Sequence, residues 1–276
     1  MRLDIHVHHH TALTETTPDA LLTKMNRAGL DGGVILSESP VPLWEHVLLP
    51  AKERMGRILS FTKGYETLYP FFFIDPTESD ALDQVDRAAD LGIRGFKTIC
   101  THFFPDDPRA VPVYHRIAET GKPYLFHSGI LYDGSNASGS FNRPCNFEVL
   151  LSVPRLRFAL AHISWPWCDE CIAVYGKFQS YLELSGNPDA PEMFVDTTPG
   201  TPPLYRRDAL AKLLGMPNAE KHILWGSDNK TIEYNPDYSL DIRSRDEPIY
   251  RDLGKDDAFL NDLYWNNALR FLNGGR

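Results

Sequence analysis

The chain has 276 residues, 42% of them hydrophobic and 24% charged, a length that one α/β barrel commonly fills and that can bury a deep core. No apolar run approaches the ~20 residues needed to cross a bilayer, and a net charge of -9 is the opposite of the basic surface with which nucleic-acid binders meet phosphate. Residues Met1-Arg2-Leu3-Asp4 run straight into a strand pattern without the charged and apolar regions of a secretion signal, so a cytoplasmic location is expected.

The first predicted strand is 3–8, followed by a helix with Thr17 as N-cap, Pro18 at its first position, Leu21, Leu22, Met25 and Ala28 on one face and Gly29 as its stop. Strands at 33–37 and 71–75 come next, and then Ser79 caps a helix whose Leu82, Val85, Ala88, Ala89 and Leu91 recur at helical spacing until Gly92. Strand 95–99, helix 109–120, strands 123–127 and 157–162, helix 169–180, strand 193–197, helix 204–215, strand 222–227 and helix 256–272 complete the series. Cys168 and Cys171 have C-x-x-C spacing but no second such pair, so they are read as the first turn of a helix and all four cysteines as reduced. The strand runs are almost continuously apolar, as parallel strands covered on both faces require. No Gly/Ser linker or low-complexity tract divides residues 1–276, which are read as one domain.

Eight such alternations suit either an open doubly wound sheet or a closed barrel, and the polar residues decide between them. An open dinucleotide-binding sheet carries a Gly-rich turn after its first strand, whereas this one ends His6-Val7-His8-His9-His10. Strand side chains alternate, so His6 and His8 are expected on one face with Asp4 below them. Four further strand ends finish in groups able to bind or serve a metal: Lys97, His127, His162 and Asp228. Burying so many imidazoles and charges without partners costs several kcal/mol each, and a shared cation removes that cost by coordinating nitrogen and carboxylate oxygen. The expected fold is therefore a slightly distorted (β/α)8 TIM barrel with this cluster at the C-terminal mouth of its strands.

In this order the chain resembles the amidohydrolase superfamily, specifically the amidohydrolase-2 branch of decarboxylases, lactonases and hydrolases. The resemblance spans nearly the whole chain. It rests on Asp4-Ile5-His6-Val7-His8, Gly95-Phe96-Lys97, His127, His162 with Ser164-Trp165-Pro166-Trp167, Gly226-Ser227-Asp228 and the closing Asn266-Asn267-Ala268. It implies that His6, His8, His127 and Asp228 bind a first divalent metal, zinc with manganese as the alternative. His162 is then a base or a ligand to a second metal. Lys97 is either carboxylated and bridging, which gives two metals per chain, or a free amine paired with Asp228 or a substrate carboxylate, which leaves one. The implied chemistry is attack by a metal-activated water, with Asp228 as the proton carrier and His162 sharing base duty or stabilising the oxyanion.

Beyond the strand ends, the Gly/Ser/Asn-rich loop 132–144 is expected to act as a lid, with Arg143 clamping a substrate carboxylate and Asn142 beside it. Trp165 and Trp167 are expected as an aromatic wall and Asn229 as a substrate contact, while His9, His10 and His102 are read as surface or supporting histidines. The expected partner is a small-molecule substrate, with neither nucleic acid nor membrane, and a homodimer is compatible with the sequence. The expected activity is hydrolysis of an ester, lactone or amide bond in a small polar molecule, with or without a carboxylate. The alternative is non-oxidative decarboxylation of a small aromatic or unsaturated acid. A three-metal phosphoesterase is disfavoured for want of an additional His/Glu set.

Overall fold

Short apolar runs rich in branched and aromatic residues supply the strands, and the computed structural model, which describes residues 1–10, 16–43, 48–132 and 138–275, joins them in one parallel sheet. These are β1 (Leu3–His8), β2 (Gly32–Leu36), β3 (Leu68–Phe73), β4 (Gly95–Thr98), β5 (Tyr124–Phe126), β6 (Arg157–Leu160) and β7 (Glu192–Asp196). Of the eighth predicted strand, 222–227, only β8 (Ile223–Leu224) forms, and a second short piece, β9 (Asn229–Lys230), follows just beyond its expected end. β8 pairs with β7 while β9 pairs with β1. Ile5 N donates to Trp225 O at 3.2 Å and Asp228 N donates to His6 O at 3.0 Å, so the eighth run seals the sheet into a barrel. The expected TIM barrel is what the chain builds.

The helices clothe the outside. α1 (Pro18–Arg27) has its Thr17 cap accepting from Ala20 N at 3.2 Å. α2 (Ala51–Thr62) follows β2. α3 (Ala81–Leu91) starts from Asp80, one residue beyond the expected Ser79, and ends at Gly92 with φ 95°. α4 (Ala110–Glu119), α5 (Cys168–Ser185), α6 (Pro203–Leu214), α7 (Ala219–His222) and α8 (Pro236–Asp252) follow in turn. The expected last helix is broken into α9 (Asp257–Asn261), a π-turn over Asp262–Asn266 and α10 (Asn267–Asn273). After β5 the chain makes a 3-10 stretch, Pro144–Ser152, where a regular barrel has a helix, and this is the distortion. Cys168 and Cys171 do open α5, and all four cysteines are free. Among the described residues no helix is long and apolar enough to cross a membrane.

Inside the barrel Leu3, Ile5, Leu36, Phe71, Leu125 and Phe194 share one apolar cluster with Phe271 of α10, whose ring lies against those of Phe71 and Phe194. A larger cluster packs helices against the outer strand faces. β1 carries a register shift between Asp4 and Val7. Strict alternation would put Asp4 on the face of His6 and His8. Instead Asp4 accepts from Ser227 N at 2.9 Å, Ser227 Oγ at 2.5 Å and the Tyr234 hydroxyl at 2.9 Å, tying β1 to the turn that carries Asp228.

Candidate metal centre

The strand ends converge at the open mouth. One ligand atom each from His6, His8 and Asp228 lies within 4.8 Å of the others. Asp228 Oδ1 is 3.2 Å from His8 Nε2 and 3.6 Å from His6 Nε2. His162 stands 5.3 Å from the His6 ring and 5.0 Å from the His127 ring, centroid to centroid. Lys97 rises from β4 with its Nζ 3.4 Å from His6 Nε2. All six residues line one cavity of about 100 Å³. Two of them have backbones in the left-handed region, Asp228 at φ 61° and His162 at φ 66°. Such conformations in non-glycine residues concentrate where a site dictates them.

Close strand approach is what brings these groups together. A Cβ on Gly226 would stand 2.8 Å from His6 Cβ and 2.8 Å from Thr198 Oγ1, and one on Gly200 would stand 2.7 Å from His162 Cβ. Glycine is needed at both places because any side chain would push a histidine out of the cluster.

Two of the imidazoles have fixed tautomers. His6 Nδ1 meets the Asp196 carboxylate at 2.9 Å, and His162 Nδ1 meets the carbonyl oxygen of Pro199 at 2.9 Å. Both partners only accept, so Nδ1 carries a proton in each ring, and it is Nε2 that bears the lone pair of the neutral imidazole. Through Nε2 the imidazole form of His162 can accept a proton or bind a cation, whereas stabilising an oxyanion calls for a proton on that nitrogen.

The field in the site favours neutral imidazoles and an ionised carboxylate. Burial, with the neighbouring Lys97 charge, holds His6 well below the ordinary histidine range. Burial likewise lowers His8, and lowers His127 well below its usual value. Burial brings Lys97 down to about 8, against the pull of Asp228 and Asp196. For Asp228 burial works against ionisation, but the His8 hydrogen bond holds its carboxyl below the ordinary range. Neutral imidazoles and a carboxylate are the donor set of a borderline divalent cation such as zinc. The fit is reinforced at His127, whose Nε2 is buried and has no hydrogen-bond partner among the described residues.

The expected substrate residues are placed differently from one another. Trp165 lines the cavity, stacks on Tyr205 at 4.3 Å and donates from Nε1 to the Tyr132 hydroxyl at 3.1 Å. Arg143 is turned away: its guanidinium pairs with Glu170 at 2.5 Å, lies 5.3 Å from the Trp167 ring and is not among the cavity residues. Asn229 is occupied within its own loop, donating to Ser227 Oγ and Ser239 Oγ at 3.0 Å each and accepting from Asn235 N at 3.0 Å. Asn142 pins the base of loop 132–144 by accepting from Cys100 N at 3.2 Å and donating to Cys100 O at 2.7 Å. Residues 133–137 of the expected lid lie outside the described residues. His9 is buried against Phe61 and bonded to Thr231 Oγ1 at 3.1 Å, His10 is buried, and His102 is exposed beside Asp75. The sequence reading passed over Asp196 and the apolar wall of Ile99, Ile130 and Leu131. Asp196 is the next-to-last residue of predicted strand 193–197 and the last of β7, so a search for polar groups at the end of that strand finds it.

A family model described as amidohydrolase matches residues 5–274. The fold is similar to that of an amidohydrolase from Burkholderia multivorans with bound HEPES, at 12% identity over 99% of each chain and a TM-score of 0.66. It is similar to a probable 2-pyrone-4,6-dicarboxylic acid hydrolase from Acinetobacter baumannii with citric acid bound, at 12% identity over 99% of each chain and a TM-score of 0.65. A third similar structure is 5-carboxyvanillate decarboxylase from Novosphingobium aromaticivorans, complexed with manganese and 4-hydroxy-3-methoxy-5-nitrobenzoic acid. It covers 91% of this chain and 78% of its own at 12% identity, with a TM-score of 0.61. No curated protein matches the sequence. At such identities the structural likeness speaks for the fold alone.

Proposed function

This chain belongs to the amidohydrolase family, and on that premise we propose that it is a metal-dependent hydrolase that cleaves an ester, lactone or amide bond in a small molecule. The observation that carries the proposal is the convergence of His6, His8 and Asp228, with the unpartnered Nε2 of His127 in the same cavity. His6, His8, His127 and Asp228 would hold a divalent cation, with His162 and Lys97 available to a second. A bound cation supplies Lewis acidity towards a water molecule and a substrate carbonyl. Asp228 is ionised and a third of its side chain is exposed, so it can take a proton from the attacking water and return it to the leaving group. The Nε2 lone pair of His162 offers a second acceptor in the same space. Lys97, fully buried with its Nζ 3.4 Å from His6 Nε2, would offer its amine to a substrate oxygen or to Asp228. The cavity is small, and Ile99, Ile130, Leu131 and Trp165 give it an apolar side that excludes water from the non-reacting part of the substrate.

The second reading, loss of carbon dioxide from a small aromatic acid, is favoured by the Trp165 and Tyr132 rings at the cavity. It is disfavoured by the absence of any arginine among the described cavity residues. Protein loaded with zinc or manganese should be assayed against small lactones, esters and amides, and in parallel for carbon dioxide release from aromatic acids. We expect hydrolysis, with Asp228→Asn lowering kcat by ~10²-fold or more in protein that still contains metal. Carbon dioxide release without hydrolysis would establish the second reading instead.

A further inference from the structure

We propose that Asp196 sets the tautomer of His6, and that this is what turns the Nε2 lone pair of His6 toward the metal site. The proposal rests on the metal reading above for its consequence, but its geometry stands without a cation. Asp196 is fully buried at the end of β7, and its Oδ2 faces His6 Nδ1 at 2.9 Å. The other oxygen, Oδ1, accepts from the backbone N–H of Thr198 at 2.7 Å and also from the Thr198 hydroxyl. The carboxylate is therefore held on one side by donors and presents an acceptor on the other. Carboxylate–histidine–metal arrangements of this kind fix ring orientation, and loss of the outer partner typically weakens metal binding ten- to a hundredfold.

The surroundings of Oδ1 give the proposal a sharp consequence. A backbone N–H can only donate, so in an Asp196→Asn variant the amide oxygen must take the Thr198 side. The amide nitrogen then faces His6 Nδ1 as a donor. It forces His6 to carry its proton on Nε2, the nitrogen that faces Asp228 and Lys97. Asp196→Ala removes the partner but leaves the ring free to choose either tautomer. Both substitutions delete the same negative charge near Lys97 and His162, so their difference isolates the tautomer. The near-isosteric change should thus be the more damaging one, which is the reverse of the order that packing alone would give.

The test is zinc affinity, measured by competition with a chromophoric chelator for the parent, Asp196→Ala and Asp196→Asn proteins. It is joined to nitrogen–proton correlation NMR of the histidine rings in the metal-free proteins. The expected result is a His6 proton on Nδ1 in the parent and on Nε2 in Asp196→Asn, with zinc affinity falling ten- to a hundredfold in Asp196→Ala and further in Asp196→Asn. The proposal is overturned if Asp196→Asn binds zinc more tightly than Asp196→Ala, or if His6 of the parent carries its proton on Nε2. Should Asp196→Asn fail to fold, the parent spectrum and the loss of the Nδ1 preference in Asp196→Ala still decide. A parent that binds no zinc would remove the metal reading, while the NMR result would continue to judge the role of Asp196.

Discussion

Lys97 is the residue whose state depends most on whether a cation is present. In metal-free protein burial disfavours its ammonium, so that its pKa is about 8 instead of 10.5. Between those values the unfolded chain binds more protons than the folded one, so stability rises with pH across that window. Below pH 8 the buried charge costs up to ~3 kcal/mol, by the conversion of ~1.4 kcal/mol per pKa unit. Chelator-treated parent should therefore gain on Lys97→Met in urea denaturation as pH rises from 7 to 10.5. Parallel curves for the two proteins would show that Lys97 is not desolvated as described. The chemistry-bearing strand ends were legible in the sequence because each is a polar residue closing an apolar run. Arg143 shows the limit of that rule. A loop arginine has no periodic constraint, and here Glu170 and Trp167 draw it away from the cavity.

At the scale of elements, the strands and the helices with clear caps were read directly, because Thr17, Pro18 and Gly92 have local physical meanings. α2 and α8 were passed over. α2 starts from Pro50 with no side-chain cap and turns Arg54 into its buried face, and α8 is strongly polar and carries Pro248 in its interior. Between β8 and β9 the chain turns left-handed at Asp228, a conformation that alternation does not announce. Two substitutions in and around this stretch should behave differently. Asn267 Nδ2 donates to Glu220 O at 2.7 Å and Ile223 O at 2.9 Å beneath the barrel. Asn267→Ala is expected to cost ~1–3 kcal/mol, the penalty for buried carbonyls left unpaired, while zinc affinity stays within about threefold. Gly226→Ala forces a methyl against His6 and Thr198. It is expected to cost a similar ~1–3 kcal/mol and also to weaken zinc binding at least ~10-fold, since overpacking here displaces a ligand. Denaturant unfolding and chelator competition on both variants check this, and equal zinc affinities would count against the placement of His6.

For the molecule as a whole, the barrel explains why residues as far apart in sequence as His6 and Asp228 form one site: β9 lies beside β1, and the ends of β1, β4, β5 and β6 deliver His6, His8, Lys97, His127 and His162 to the same mouth as Asp228. The resemblance seen in the sequence and the family match agree on that architecture. Substrate identity was not legible, because it depends on loop residues whose positions are set by tertiary contacts. The central claim is that this mouth is a divalent-metal site, and the most direct measurement is metal content per chain by elemental analysis, for the parent beside His6→Ala and Asp228→Ala. The account predicts at least one zinc or manganese per parent chain and its loss in both variants, with a value near two that falls on replacing Lys97 indicating the bridged form. A parent that stays metal-free after reconstitution, or variants that keep the full complement, would contradict it.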